Sequence, residues 1–325
     1  MLSDQRKRKG YKRKPSGTFR QGVLALPKPQ TLIQKRLIEI SGLLVDAPEE
    51  IAYQHTILCQ TSLPYRDPGD DVRRWQRRQG GAVLEVEAGR ALHPEMGEFV
   101  DVRLPFGPKA RLVLMHLNST AIRTQSACVD VGDSLTSFVK RIGLTTDGRT
   151  VRGIKDQVGA LSAAMIRMGF TGPQGAYEFD AKIVSGFNLW FPKDARQRVL
   201  WPSVVHLSGE YFSSLVEHAV PLDERAIGAL SHSAMALDLY AWLAQRLHRI
   251  PKPHRQFIPW PVVKEQFGGD YERLRKFREK FLLALHQVHA VYPAAKLDVT
   301  DGGLFLYTSP PPVVKTGVVV QLPRK

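Results

Sequence analysis

The chain has 325 residues of ordinary globular composition, with 46 Lys and Arg against 31 Asp and Glu for a formal charge of +15. That length predicts about two domains, each able to bury its own core, and the charge predicts attraction to a polyanion. Two cysteines, Cys59 and Cys128, exclude a disulfide framework. No uncharged run reaches the roughly 18 residues of a membrane span, so the expectation is a soluble cytoplasmic protein with no membrane partner.

Residues 1–29 form a basic tail that reads as disordered when free. Its first twenty residues carry Arg6, Lys7, Arg8, Lys9, Lys12, Arg13, Lys14 and Arg20 against Asp4 alone. About half of the net charge therefore lies in the body, which a sticky tail does not explain. Residues 30–104 read as an N-terminal extension: an amphipathic helix over 31–44, then strands at 83–87 and 98–104 that predict a hairpin. Between helix and hairpin, 67–80 reads as an exposed loop holding Arg73, Arg74, Arg77 and Arg78.

A first unit is predicted over 105–200. Pro108 opens a helix that runs to Ile122, a short strand covers 129–131, and Asp133 and Ser134 cap a helix over 135–142. A longer helix follows over 150–168, with Val151, Ile154, Val158, Leu161, Met165 and Met168 on one side. Arg149, Arg152 and Lys155 lie on the other side. Alternation through Tyr177, Phe179, Ala181 and Ile183, with a return through Phe187, Leu189 and Phe191, predicts a hairpin that would serve as a wing.

The second unit, over 201–309, is organised around 222–251, where Ile227, Leu230, Ala234, Leu237, Tyr240, Leu243 and Leu247 recur at helical spacing. This stretch reads as one long core helix stopped by Pro251. A strand at 257–260, a helix at 262–267, a basic helix over 270–292 and a hairpin at 296–308 turning on Asp301-Gly302-Gly303 complete the unit. Residues 310–325 read as a tail. Helix, strand, helix, helix, hairpin is the order of a winged helix-turn-helix, and the chain presents it twice. The predicted fold is therefore α+β, with tandem winged helix-turn-helix domains and an N-terminal helix and hairpin extension.

A reading helix must offer cations on a face not used for packing, because the major groove admits a helix and displays a base-specific pattern there. Arg152 and Lys155 in the first third helix, and Arg273, Arg275 and Lys276 in the second, are the candidates for base edges or phosphates. Arg149 and Lys280 lie nearer the helix ends and suit phosphates. Catalysis has no visible residues. None of the ten histidines forms the His-x-His pair of an origin-nicking enzyme, His286 and His289 read as surface histidines, and His55 with Cys59 lacks a second pair for a tetrahedral metal site. There is no phosphate-binding Gly-x-x-x-x-Gly-Lys loop, and Gly268-Gly269-Asp270 reads as a turn and cap. No cofactor and no metal are expected.

The runs QTLIQKRLIEISG, EIAYQHTILCQTSLPYR, EAGRALHPEMGEFVDVRLPFGPKARL, FNLWFPKDARQRVLWPSVVHLS, PLDERAIGALSHSAMALDLYAWLAQRLHRIP and YTSPPPV give the chain a resemblance to the plasmid-encoded RepA replication initiators. The resemblance implies a bacterial, plasmid-associated protein that binds repeated origin sites (iterons) in double-stranded DNA. It further implies opening of an adjacent A·T-rich segment and recruitment of the host replicative helicase and initiator. Related initiators bind as monomers to start replication and as homodimers to restrain it. The weighed alternatives are an autoregulatory transcriptional repressor with the same DNA face and, disfavoured by the missing histidine pair, an origin-nicking enzyme.

Overall fold

The computed structural model describes residues 51–92, 96–131, 133–141, 144–172, 175–181, 183–190 and 201–313, with a few isolated positions before residue 51. The predicted tail over 1–29, residues 314–325 of the predicted 310–325 tail, most of the predicted 31–44 helix and the connection over 191–200 lie outside these residues. It is a mixed helix and sheet protein.

In chain order the elements begin with β1 (Ile51–His55), α1 (Thr56–Gln60), β2 (Arg74–Gln79), β3 (Ala82–Glu87), β4 (Arg90–Leu92) and β5 (Phe99–Asp101). Then come α2 (Gly107–Thr124), β6 (Cys128–Asp130), α3 (Asp133–Arg141), α4 (Gly148–Ala163), β7 (Met165–Gly172), β8 (Gly175–Ala181), β9 (Val184–Trp190) and β10 (Trp201–Leu207). The second half holds α5 (Gly209–His218), β11 (Ala219–Asp223), α6 (Glu224–Leu230), α7 (Ala234–Arg246), β12 (Arg255–Pro259), α8 (Trp260–Phe267), α9 (Leu274–Val291), β13 (Leu297–Val299) and β14 (Gly303–Tyr307).

Two three-stranded antiparallel sheets have the same plan. In the first half the order is β6-β10-β9, and in the second it is β12-β14-β13. In each, the strand after the leading helix pairs with the last strand, and the middle strand of the sequence lies at the far edge. Helices α2, before β6, and α3 and α4, after it, match α7, before β12, and α8 and α9, after it.

The first unit departs from the sequence reading in its strands. The 150–168 helix stops at Ala163, and Ile166 and Met168 enter β7 opposite Val86 and Leu84, all four buried. Met165 and Met168 fit helical spacing while Ile166 and Met168 fit an alternating strand, and the long-range partner decides between them. The predicted 177–191 hairpin is likewise divided: β8 pairs with β7, and β9 pairs with β10. The first unit's terminal hairpin is thus β9–β10, with β7–β8 inserted before it into the four-stranded sheet β2-β3-β7-β8.

Residues 67–80 are not all loop, because β2 pairs with β3 along six residues. Nor do 83–87 and 98–104 form one hairpin. β3 lies between β2 and β7, whereas β5 pairs with β4. The 222–251 helix is also broken. Leu222 and Asp223 belong to β11, which pairs with β1, and helix stops at Ser231. Ser231 Oγ donates to the Gly228 carbonyl, and Ser233 restarts the helix by accepting from Ala236 N at 3.2 Å. Serines that bond their own backbone end and begin helices in this way.

A buried ion pair joins the two halves. Arg111 of α2 donates through Nε and Nη2 to the Asp238 carboxylate of α7 at 2.7 and 2.8 Å. Its remaining donors meet the carbonyls of Leu63, Pro64 and Gly107. With every donor directed and both side chains buried, the pair fixes one orientation, and removing one partner would strand a charge.

Candidate nucleic-acid interface

Helix α4 is started by Asp147, whose carboxylate accepts from Thr150 N at 2.9 Å and from the Thr145 hydroxyl. These bonds, that of Thr145 foremost and then the Thr150 backbone, hold its pKa down to about 2, so at neutral pH it is a charged cap on the positive end of the helix dipole. Ile154, Val158 and Leu161 bury the inner face, and Gln157 Oε1 accepts from Phe106 N at 2.8 Å. That packing turns Arg149 and Arg152 to solvent and leaves Lys155 half-buried.

Helix α9 is seated on an aromatic cluster. Phe281 lies 5.8 Å from Trp260 and 5.6 Å from Phe267, which in turn meets Trp242 at 5.4 Å. Phe277, Leu285 and Val288 complete the buried side, so Arg273, Arg275, Lys276 and Lys280 are exposed. Glu272 and Glu279 are exposed among them, and Lys276 bonds Glu279 at 3.0 Å. No side chain caps this helix, whose N-cap is Arg273 itself. A helix N-terminus with unsatisfied N–H groups and a cationic first turn is an anion site by geometry.

Each residue singled out from the sequence therefore sits where a polyanion can reach it, Lys155 less so than the others. Three contributors went unnoticed. Lys109 of α2 extends over Gly153, where any Cβ would collide with it, and its amine donates to the Arg149 carbonyl at 3.3 Å. Arg77 of β2 lies 4.6 Å over Trp75 and donates to the Glu265 carbonyl at 3.3 Å, beside Gly269, which has no Cβ to obstruct it. It thereby buttresses the turn that leads into α9. Arg278, half-buried 5.0 Å over Trp260, bonds the Thr300 carbonyl and Asp301, tying α9 to the β13–β14 turn. The Gly153 and Gly269 approaches leave no local sequence signature, since they depend on distant elements.

Among the described residues no group of three or more His, Cys, Asp and Glu side chains could hold a metal, and no helix is long and apolar enough to cross a membrane. His55 bonds Ser214 at 3.0 Å through Nε2 and accepts from Ile57 N at 3.2 Å through Nδ1.

Two units of one plan, each with an outward cationic third helix, define a mixed helix and sheet protein with surfaces suited to a polyanion. Residues 104–261 match the family model described as plasmid encoded RepA protein. Among solved structures, selenomethionine derivatives of domains 2 and 3 of RctB are similar at TM-score 0.48 and 9% identity, covering 78% of this chain and 98% of that one. A second structure of RctB domains 2-3 gives TM-score 0.47 and 10% identity, covering 77% and 94%. No curated protein matches the sequence.

Proposed function

We propose that the chain is a plasmid replication initiator built of two winged-helix units, with 30–104 as an extension woven against them. It binds repeated sites in duplex origin DNA through α4 and α9. The observation that carries this reading is the doubled unit: two sheets of one strand order, each with one helix before its first strand and two after it, the last of which turns its cations outward. One such helix is an ordinary charged surface; two in equivalent positions call for a ligand with an equivalent repeat, and successive turns of a double helix supply one.

Arg152, Lys155, Arg273, Arg275 and Lys276 are assigned to base edges or phosphates, and Arg149 and Lys280 to phosphates. The hairpins β9–β10 and β13–β14 and the basic tail grip the backbone on either side. Origin opening and recruitment of host replication proteins follow from the family resemblance, as does a dimer that restrains initiation. No residue is assigned a catalytic role.

Fluorescence anisotropy with a duplex carrying the origin repeat, beside a random duplex of equal length, tests the assignment. Arg275→Ala or Arg152→Ala should weaken repeat binding by about 1–3 kcal/mol if that residue reads a base. Equal losses on both duplexes would assign it to phosphate, and unchanged binding by both variants would remove the two helices from the interface.

A further inference from the structure

The solvent face of the β12-β14-β13 sheet is aromatic. Register places Arg255 opposite Tyr307, and Phe257 opposite Phe305, with Asp298 beside Phe305 on the third strand. The other face buries Ile258, Leu304 and Leu306 in the core. Phe257 is 45% exposed. Its ring centroid lies 4.7 Å from that of Phe305, and the Arg255 guanidinium lies 4.3 Å from the Phe305 centroid. Tyr307 donates to Asp298 Oδ2 at 2.7 Å, which fixes its ring at the edge of the platform.

Charge is distributed unevenly along this face. Exposed Lys252 and His254 precede β12, and exposed Lys296 precedes β13, so all three gather with Arg255 at one end of the sheet. At the opposite end Phe257 approaches Gly302 of the turn that Arg278 ties to α9; a Cβ on Gly302 would lie 3.5 Å from the Phe257 ring. The acids nearby are occupied: Asp298 by Tyr307 and Asp301 by Arg278. A strip of flat π-faces thus runs from a cationic end to the edge of the proposed duplex-binding helix.

We infer that this face binds single-stranded DNA, with unpaired bases stacking on Phe257 and the Arg255–Phe305 layer while the cations at its end follow the phosphates. Size favours this occupant over a protein. Three short strands offer about 200 Å² from ordinary strand spacing and rise, far below the roughly 800 Å² per partner of a stable protein interface, yet enough for two or three bases. Aromatic rings and arginine planes are the usual seats for splayed bases. A closed duplex is not a competitor, because its base faces are hidden in the stack. The inference rests on the reading of the chain as an origin-opening initiator and assigns one separated strand a place beside the helix that holds the duplex.

The test uses the full chain and two fluorescein-labelled probes in anisotropy, a 15-nucleotide oligothymidylate and the origin-repeat duplex. Phe257→Ala should weaken oligothymidylate binding about tenfold, in line with the loss of one stacked base, and leave duplex binding unchanged, which also reports that α9 is still correctly folded. Phe257→Leu should fail like Ala, and Phe257→Trp should bind like the parent. Unchanged oligothymidylate binding by Phe257→Ala would overturn the inference, as would equal losses on both probes. A parent chain that binds the duplex but not the single strand would overturn it while leaving the duplex reading intact, and one that binds neither would overturn both. A Phe257→Ala change confined to sedimentation behaviour would mark the face as a contact between copies and also overturn it.

Discussion

The two units share a strand order but are stabilised differently. The second is closed locally: β12, β13 and β14 lie within 53 residues of one another in sequence, and α9 packs on its own aromatic cluster. The first is closed from outside. Its sheet admits β10 only after the β7–β8 insertion, which is itself paired to β3, and its leading helix α2 rests on β1 and on the Arg111–Asp238 pair. The comparison teaches that one strand order can be closed by strands near one another in sequence or around an inserted hairpin that the N-terminal segment pairs with.

The largest expected effect comes from breaking the joint. Arg111→Met leaves Asp238 buried without its partner and should cost about 3–5 kcal/mol in urea unfolding. The double variant Arg111→Met with Asp238→Leu should recover most of that loss. A single variant as stable as the parent would mean that the pair does not hold the two units together.

A smaller change separates the third helices. Asp147 is the side-chain cap of α4, whereas α9 has none. Asp147→Ala should fray α4 and weaken protection of its half of the DNA site while the half facing α9 persists. Loss of both halves together would show that the two helices are not independently seated. Replacing Lys276 by Ala should reduce the salt slope of duplex binding by about one unit if it contacts a phosphate.

The smallest effect is set by pH. Burial, with nearby positive groups second, holds His55 at about 4 and His116 at about 3. Both are therefore neutral in the folded chain where an unfolded histidine, near 6.5, takes up a proton. The stability tied to them is present above about pH 6.5 and declines as pH falls toward these folded values. His116 packs 4.9 Å from Phe138 of the first unit, and no buried histidine belongs to the second unit among the described residues. Thermal melts should thus fall between pH 6.5 and 4, and His116→Leu should flatten the decline. A parallel decline in that variant would locate the acid sensitivity elsewhere.

The same contrast explains what was legible in the sequence. The second unit's strands, its Asp301-Gly302-Gly303 turn and its third helix follow from local signals, and so do the outward cations of both third helices. The first unit's strand partners do not. Tyr177 to Phe191 alternate whichever neighbour they take, and pairing with β7 or β10 is decided far away in the chain. Residues 74–79 hide as a loop because an edge strand with Arg74, Arg77 and Arg78 shows little apolar alternation. The continuous helical spacing across 222–251 masks the break that Ser231 and Ser233 make with their hydroxyls.

Nuclease footprinting of the purified chain on its origin repeat tests the central claim most directly, since two equivalent helices must engage two equivalent stretches of groove. Protection should extend over two adjacent helical turns, about 20 base pairs with centres roughly 34 Å apart. Protection confined to a single turn would contradict the paired reading helices.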